Sequence, residues 1–377
     1  MKVLSRLLPA VAGGLVAVTA AAAPAFAAPA AETGHTGDPG VVFVQTDNTA
    51  GNAVVAYHRA PDGTLTLAGT YPTGGLGGVL AGSVVDHLAS QGSLTYDAGH
   101  GLLLAVNAGS DTVSVFGVLG DRLQLRQVVW SGGRFPVSVT VHGNHAYVLD
   151  ALDGGALYGY RIGDGHLSPI PGSRRGLGLD PAATPQFTST PGQVAFTPDG
   201  DAVVVTTKAN GNDVDVFAVR PGGLLSTAPV VNSEPGAVPF AVSFDRAGHV
   251  LIAEAGPNAV ASFALSGGTL TQLHVALTGQ AATCWVARAG RYFYASNAGS
   301  GSVSGYAIGG SGRLTALGNT STDAGTVDAS AADGFLYVQT GAAGIVDEYA
   351  VGAGGTLSPI GSVTVAGAVG GEGIVAL

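Results

Sequence analysis

A pattern that recurs seven times along the chain restricts the possible folds more than any other feature of the sequence. Each copy contains a β-rich run, a polar Gly/Asn turn and a second alternating run that ends in an aromatic residue. The clearest copies are LLLAVNAGSDTVSVF (102–116), VVVTTKANGNDVDVF (203–217), VLIAEAGPNAVASF (250–263) and YFYASNAGSGSVSGY (292–306). Weaker copies are VFVQTDNTAGNAVVAY (42–57), AYVLDALDGGALYGY (146–160) and LYVQTGAAGIVDEY (336–349).

The spacing of the copies indicates the architecture. Successive closing aromatics lie 59, 44, 57, 46, 43 and 43 residues apart; they are Tyr57, Phe116, Tyr160, Phe217, Phe263, Tyr306 and Tyr349. A period in the mid-forties is typical of a four-stranded propeller blade. A β-helix needs shorter repeats, and a β-sandwich does not repeat seven times. The sequence therefore predicts an all-β, seven-bladed β-propeller of four-stranded blades.

The chain also predicts how the ring closes. Most copies follow a strand that would be the innermost of its blade, such as VSVTVHG (137–143) or FAVSFDRAG (240–248). The first copy has no such strand, because the segment GHTGDPG (34–40) before it has no apolar alternation. The C-terminal segment GIVAL (373–377) has the missing pattern and no blade of its own. We therefore expect residues 373–377 to complete blade 1, which hides two sheet edges.

Two longer spacings predict insertions. In the first, residues 79–89 are the one stretch with the pattern of a short helix, and in the second, residues 173–190 are rich in Gly and Pro and predict an extended loop. The composition agrees with many buried strands joined by tight turns, since the chain has 61 glycines and 46% apolar residues but only 11% charged ones.

The first 27 residues predict a secretion signal. Lys2 and Arg6 flank the start of an apolar run that extends to Ala23, and the small residues Ala25 and Ala27 form a cleavage site. The domain organisation expected is a signal peptide (1–27), a flexible linker (28–40) and one propeller domain (41–377). Cleavage near Ala27 would place the protein outside the cell or in the cell envelope. No later segment is long and apolar enough to span a membrane.

Charge and cysteine content exclude several classes of partner. Loss of the signal leaves 13 Lys and Arg against 25 Asp and Glu, a net charge of −12. This acidic balance, without a basic cluster, argues against nucleic acid and anionic membranes as partners. The single cysteine, Cys284, excludes an internal disulfide and a Cys-based zinc site and is expected to pack as a small buried hydrophobe. No motif indicates a metal or cofactor, and we expect a monomer.

Sequence position predicts which residues line one mouth of the channel. In a propeller, the loops that lead into inner strands and the ends of second strands open on the same face. The loops before inner strands contribute Gln91, Ser93, Arg134, Ser138, Gln193, Phe240, Trp285, Asp328 and Glu372. The ends of second strands contribute Asp47, Asn107, Asp150, Lys208, Glu254 and Asn297.

Two of these residues have unusual positions. Lys208 is the single lysine of the mature chain, and Glu254 interrupts an apolar strand. Each has a structural interpretation, because Lys208 can be a solvated rim residue and Glu254 can be satisfied by backbone or by Lys208 itself. Nucleophile-elbow, zinc-protease and Cys-x-x-Cys motifs are absent from the sequence. His87 beside Asp86 is the one histidine placed as a candidate for proton transfer.

The repeats, the segment QVAFTPDG (193–200) and the Glu254 strand resemble the lactonase-type seven-bladed propellers, which include 6-phosphogluconolactonase and carboxymuconate cyclase. The resemblance covers residues 41–377. It implies mouth motifs of Pro-His, Pro-Arg-His and Asn-Glu-Leu. Here Pro191 precedes Gly192, Pro239 precedes Phe240, and Glu254 stands at the third motif, so the glutamate is retained while both histidines and the arginine are lost.

Two functions remain open. As an enzyme, the protein would be a lactone hydrolase or a cyclase-like enzyme. Opening a lactone needs a base and a group that stabilises the oxyanion, and the candidates are Glu254 as the base with Lys208 or Arg134. Substrate would contact Gln91, Gln193, Trp285, Asp328 and Glu372. The alternative is a non-catalytic extracellular propeller that binds a cell-envelope glycan or protein.

Overall fold

The structure is a computed structural model that describes residues 39–377. The predicted signal peptide and residues 28–38 of the predicted linker lie outside this range. Within it the chain forms seven antiparallel sheets, each with a path of four hydrogen-bonded strands, so the predicted seven-bladed propeller is confirmed.

The strands follow the blades in chain order. Blade 1 contains β1 (Gly40–Gln45), β2 (Ala53–Arg59) and β3 (Leu65–Pro72). Blade 2 contains β4 (Leu94–Asp97), β5 (Leu102–Asn107), β6 (Thr112–Leu119) and β7 (Arg122–Trp130). Blade 3 contains β8 (Pro136–His142), β9 (His145–Asp150), β10 (Ala156–Gly163), β11 (His166–Pro169) and the added two-residue β12 (Arg175–Gly176). Blade 4 contains β13 (Val194–Phe196), β14 (Ala202–Thr206), β15 (Asp213–Ala218) and β16 (Val230–Ser233).

The remaining blades are regular. Blade 5 contains β17 (Pro239–Phe244), β18 (Val250–Glu254), β19 (Ala259–Ser266) and β20 (Thr269–Leu277). Blade 6 contains β21 (Thr283–Ala289), β22 (Tyr292–Asn297), β23 (Ser302–Ile308) and β24 (Leu314–Ser321). Blade 7 contains β25 (Thr326–Ala332), β26 (Phe335–Thr340), β27 (Ile345–Val351) and β28 (Leu357–Thr364). The last strand is β29 (Ile374–Ala376), and the single-turn helices of the described residues are α1 (Gln186–Ser189), α2 (Lys208–Gly211) and the 3₁₀ turns Ala108–Ser110 and Pro221–Gly223.

The C-terminal strand closes the ring as the sequence predicts. β29 is the innermost strand of blade 1 and pairs with β1 through Val42 opposite Ala376 and Val44 opposite Ile374. The pairing continues beyond the strand, because the Leu377 amide donates to the Val41 carbonyl at 2.9 Å. The N-terminal and C-terminal ends of the propeller are therefore joined by one sheet, and neither leaves an open inner edge.

The core lies between neighbouring blades. Second strands are covered by blades on both sides, so all residues of β5 and β22 are buried, whereas outer strands such as β7 are mostly exposed or half-buried. All seven closing aromatics are no more than 3% exposed. Full burial of one such side chain contributes about 1.5–3 kcal/mol, so these rings are a main source of stability in a chain without disulfides.

The first insertion differs from its sequence prediction. Residues 79–89 form turns and contain no helix, so the predicted short helix is wrong. The segment folds back on itself, with the Leu80 amide donating to the His87 carbonyl at 2.9 Å. Gly82 adopts φ +88°, which interrupts a helix. The second insertion, residues 173–190, is mostly irregular, as predicted, with β12 and α1 as its regular parts.

Candidate functional site

The first insertion covers one mouth of the channel. We call residues 79–91 the strap. The strap leads from β3 into β4, which places it on the predicted mouth face. Its hydrogen bonds reach blades 3, 6 and 7 and the loops before blade 4: Ser90 Oγ to Val137 O, Gln91 Nε2 to Val286 O, His87 N to Gly370 O, Phe187 N to Ala81 O and Gln91 N to Gly192 O. Leu80 and Leu88 belong to the strap, and both side chains are fully buried.

Lys208 is held under the strap and is not a rim residue. Its ammonium donates to the carbonyls of Ala89 and Phe187, both at 2.6 Å, and to Thr190 Oγ1 at 3.1 Å. It also lies 5.2 Å from the centre of the Phe240 ring. All three protons of the ammonium therefore have acceptors, and the side chain is 1% exposed. Burial lowers the pKa of Lys208 to about 7.

Four carboxyl groups, one of them Asp86 of the strap itself, are buried at this mouth. Glu372 Oε1 accepts from the Gly92 amide at 2.9 Å, and the Glu372 amide donates to Asp47 Oδ2 at 2.8 Å. Burial raises the pKa of Glu372 well above its usual range, and the negative charges of Asp328, Asp86 and Asp47 raise it further. Burial also raises the pKa of Asp47 and Asp328 to about 7 and that of Asp86 to about 6. Glu372 Oε2 has no hydrogen-bond partner among residues 39–377.

The predicted polar contacts at the mouth are also occupied by the protein itself. The Gln91 amide group exchanges two hydrogen bonds with the backbone of Val286, at 3.1 and 3.0 Å. Gln193 Oε1 accepts from the Val242 amide at 2.6 Å. Each amide thus completes a backbone hydrogen-bond pattern between blades, and the Gln91 group uses both its oxygen and its nitrogen in doing so.

Trp285 fixes the strap from the side of blade 6. Its indole Nε1 donates to the Ser90 carbonyl at 2.6 Å, and its ring lies 5.0 Å from that of Phe240 at a tilt of 59°. Cys284 packs, partly buried, against the same apolar cluster. Burial raises the pKa of the Cys284 thiol to about 12, so the thiol is protonated and weakly nucleophilic at neutral pH.

Two of the proposed catalytic residues lie outside this cluster. Glu254 is 5% exposed, and no hydrogen bond to its carboxyl is found among residues 39–377. Burial, with a smaller contribution from Glu234, raises the pKa of Glu254 to about 7. Arg134 is 61% exposed and forms an ion pair with Asp153 at 3.3 Å. No hydrogen bond or ion pair of the described chain joins Glu254, Lys208 and Arg134 to one another.

The position of Glu254 explains this separation. In each blade, one residue of the second strand pairs with the closing aromatic. Glu254 lies as far along its strand from that residue as Asn107 does in blade 2 and Asn297 does in blade 6. The Asn107 amide donates to Ser114 Oγ at 2.8 Å, and that of Asn297 donates to Ser304 Oγ at 3.0 Å. At this position the side chain thus faces the third strand of its own blade. Lys208 is one residue further along, where the chain turns towards the channel.

The structure therefore brings together most of the predicted mouth residues. Those that meet at the strap or the carboxyl cluster are Gln91, Ser93, Ser138, Lys208, Phe240, Trp285, Asp47, Asp328 and Glu372. Gln193 instead contacts blade 5 through the Val242 amide. Sequence reasoning missed the acceptors of Lys208, which come from the strap and from α1, and it missed the strap as a cover. The long spacing before Phe116 was the available signal, because an insertion between an outer strand and the next inner strand must lie on the mouth face.

A small cavity of about 20 Å³ lies beside α1. It is lined by α1 and by the loops around Leu152 and Leu179, and it has room for one water molecule. Within residues 39–377, no three His, Cys, Asp or Glu side chains are arranged to hold a metal ion. None of the helices in this range has the length and hydropathy to cross a bilayer.

Seven four-stranded blades and a C-terminal closing strand define a single-ring, seven-bladed propeller. The sequence model of the family described as "Lactonase, 7-bladed beta-propeller" matches residues 81–370. The chain belongs to this family. No curated protein sequence matches it.

Solved structures with the same fold are distant in sequence. A 6-phosphogluconolactonase candidate from Bacteroides uniformis has a TM-score of 0.72 at 17% identity, covering 90% of this chain and 100% of that one. The periplasmic gluconolactonase PpgL of Pseudomonas aeruginosa has a TM-score of 0.71 at 18% identity, covering 90% and 99%. Virginiamycin B lyase from Staphylococcus aureus has a TM-score of 0.55 at 12% identity, covering 76% and 88%. These similarities establish the fold only. The function has to be argued from the side chains of the site.

Proposed function

We propose that this protein is an exported, non-catalytic propeller that binds a cell-envelope glycan or protein. The observation that carries the proposal is the closed mouth, where Lys208 gives all three ammonium protons to acceptors of its own chain. The N-terminal pattern of Lys2, Arg6, the apolar run and the small residues at Ala25 and Ala27 supports the proposed export.

The chemistry of lactone opening supports the proposal. The reaction needs a base near an attacking water and donors aimed at the developing oxyanion, both around a space that holds the substrate. No hydrogen bond or ion pair among residues 39–377 joins Glu254, Lys208 and Arg134, and the Lys208 ammonium is already held by acceptors of its own chain. A fold shared with lactonases does not supply a site that the side chains do not form.

Lactone hydrolysis is the second candidate, and one observation favours it. Burial lowers the pKa of Lys208 to about 7, which is the range of a useful general base or acid at neutral pH. Movement of the strap would uncover this amine, which lies 5.2 Å from the ring of Phe240, a residue at one of the mouth motifs that the family resemblance implies. In this case the substrate would be a lactone, not necessarily a phosphorylated sugar lactone.

A lactone assay separates the two candidates. The purified protein is incubated with glucono-δ-lactone, 6-phosphoglucono-δ-lactone and dihydrocoumarin, and acid release is followed with a pH indicator. We expect no turnover above buffer. The same assay is applied to a variant in which Gly-Ser-Gly replaces residues 79–88, and to the Glu254→Gln and Lys208→Met variants. Turnover by the intact protein that either substitution abolishes would overturn the binding proposal, and turnover only without the strap would support the second candidate.

A further inference from the structure

A row of aromatic rings lies at the rim of the propeller, between blades 2 and 3. Trp130 ends β7 and is 57% exposed. Its ring is 5.8 Å from that of the half-buried Tyr158, at 52°. Tyr158 in turn packs edge-on against the fully buried Tyr160 at 5.4 Å and 61°. The row thus runs from the core to solvent and ends in an open indole face.

This row is fixed by contacts on both sides. The Tyr160 hydroxyl donates to the Trp130 carbonyl, which ties the end of β7 to β10. Gly132 lies directly on the Tyr158 ring, where an added Cβ would be 2.1 Å from Cγ of the tyrosine, and its φ is +104°. Because these groups are already ordered, a ligand that stacks on them loses little conformational entropy of the protein.

Polar groups flank the rings. Arg134 follows Trp130 in the same loop, and its ion pair with Asp153 leaves 61% of each side chain exposed. The Leu152 amide donates to the Arg134 carbonyl at 3.2 Å, which anchors this pair. Arg174 adjoins the start of β12, which pairs with β10, and its exposed guanidinium has no hydrogen bond or ion pair within residues 39–377. The rim therefore offers several N–H donors and one carboxylate acceptor beside an apolar face.

The chemistry of this surface is that of a sugar ring. One face of a pyranose carries C–H groups that pack on an indole, and its edge carries hydroxyls that accept from guanidinium groups and donate to carboxylates. A protein partner needs a contiguous interface of about 1,000 Å² or more. Next to Trp130 the loop instead presents the two small residues Gly132 and Gly133, followed by the charged Arg134.

We infer that Trp130 and Tyr158, with Arg134, Asp153 and Arg174 beside them, form a subsite for a pyranose ring of an extracellular polysaccharide. The inference rests on the proposed binding function and names its ligand class. It assigns recognition to the rim between blades 2 and 3, while the strap closes the centre.

Tryptophan fluorescence gives a direct test, because the chain has two tryptophans and Trp285 is 4% exposed. Iodide should quench Trp130 selectively in the full chain. Cellohexaose, chitohexaose and oligogalacturonate are titrated separately, and we expect at least one to shift the emission and to protect Trp130 from iodide. Isothermal titration calorimetry measures the affinity of the same oligosaccharide.

Variants locate the site. Trp130→Ala should weaken binding by about tenfold or more, which is the size expected for a lost aromatic stacking contact with its buried area. Tyr158→Ala is expected to weaken binding as well, and Leu277→Ala, an exposed apolar residue of β20, serves as the matched control without effect. Far-ultraviolet circular dichroism checks that each variant folds.

Failure of this inference differs from failure of the proposed function. The subsite is overturned if no oligosaccharide protects Trp130, or if Trp130→Ala binds as tightly as the unchanged protein. If the lactone assay shows no turnover in that case, the proposed binding function is still supported. If lactone turnover is found in the intact protein, the proposed function fails whatever Trp130 binds.

Discussion

At the scale of single residues, Lys208 shows how a buried charge is held. Transfer of an ammonium group from water into the core is unfavourable by several kcal/mol unless acceptors replace its hydration. Here two carbonyls and a hydroxyl replace it, and the Asp86 charge partly offsets the lowering of its pKa by burial. Lys208 also adopts φ +51°, a conformation that is unfavourable for a residue with a Cβ. The contacts of the side chain must outweigh this strain.

Replacement of Lys208 should therefore loosen the strap. In Lys208→Met the chain fits in length, but the carbonyls of Ala89 and Phe187 lose a charged donor in a buried place. We expect the free energy of unfolding to fall by about 3 kcal/mol, measured by urea denaturation. Arg134→Met is the matched control, since its ion pair is exposed and contributes about 0–1 kcal/mol. Equal stability of Lys208→Met and the unchanged protein would show that the ammonium does not hold the strap.

At the scale of elements, tyrosines connect each blade to its neighbours. The closing residues Tyr57 and Tyr349 donate to carbonyls at the ends of the preceding outer strands, at 3.4 and 2.7 Å. A second set lies on second strands and donates to glycine carbonyls in the turn of the next blade: Tyr147 to Gly223, Tyr294 to Gly355 and Tyr337 to Gly63, at 2.6 to 2.8 Å. These hydrogen bonds recur because each blade presents the same groups to the next.

Among the elements, loss of the closing strand β29 is expected to lower the stability of the fold most. Deletion of residues 373–377 removes the ladder between β29 and β1 and the buried Ile374, and it exposes the edge of β1. Four or five hydrogen bonds and one apolar side chain amount to about 5 kcal/mol, a large part of the stability of a typical domain. We expect a strong fall in melting temperature and association through the open edge, measured by circular dichroism and gel filtration.

Two controls accompany the truncation. Val369→Ser changes an exposed residue close to the closing strand and should leave the melting temperature unchanged. A synthetic peptide of residues 371–377 added to the truncated chain should restore part of it. Truncated protein that melts like the full chain and stays monomeric would mean that β29 does not close the ring in solution.

At the scale of the whole molecule, the ring gathers ionisable groups where its inner strands converge. The loops around Asp47 and Glu372, the strap with Asp86 and the inner strand β25 with Asp328 place these four carboxyl groups in one water-excluded region. A protonated carboxyl is neutral and acceptable there, whereas an ionised one lacks hydration and repels its neighbours. The stability of the ring should therefore depend on pH through its centre.

The direction of this dependence follows from proton counts. Because the folded-state pKa values of Asp47, Asp86, Asp328 and Glu372 are raised, the folded state binds more protons between about pH 4 and 7. The stabilisation by Asp47, Asp86 and Asp328 is complete below pH 4 and is lost as the pH rises through about 6 to 7. The raised pKa of Glu372 acts in the same direction. The lowered pKa of Lys208 acts oppositely above pH 7, where the unfolded state binds more protons.

We therefore expect the free energy of unfolding to fall from about pH 4 to pH 7 and to rise again above it. Urea denaturation at a series of pH values measures this profile, and Glu372→Gln should flatten the fall. The carboxyls with lowered pKa values, such as Asp199 and Asp245, lose their stabilising contribution only as the pH falls below about 4. Burial lowers the pKa of His87, so this residue slightly opposes the loss of stability between pH 4 and 7. Stability that rises steadily from pH 4 to 7 would contradict a buried carboxyl cluster.

Much of the fold was predictable because its signals are local and repeat. Alternating apolar residues define each strand, the closing aromatics mark each blade, and the pattern left over at residues 373–377 identifies the closing strand. The helix predicted for residues 79–89 failed, because contacts to other blades, and not local preference, set the shape of the strap. The set of mouth residues was also predictable, since the order of strands in a blade assigns each loop to a face.

The sequence by itself determined the number of blades, the way the ring closes and which side chains approach one mouth, because these depend on the order of short, regular strands. The tertiary structure alone decided what those side chains do. Lys208 meets the Ala89 carbonyl across 119 residues of chain, and Gln91 meets Val286 across 195. Such contacts depend on how the strap crosses the completed ring, and no local pattern encodes them. These contacts close the mouth and hold Lys208 apart from Glu254. For this reason the structure favours binding over catalysis.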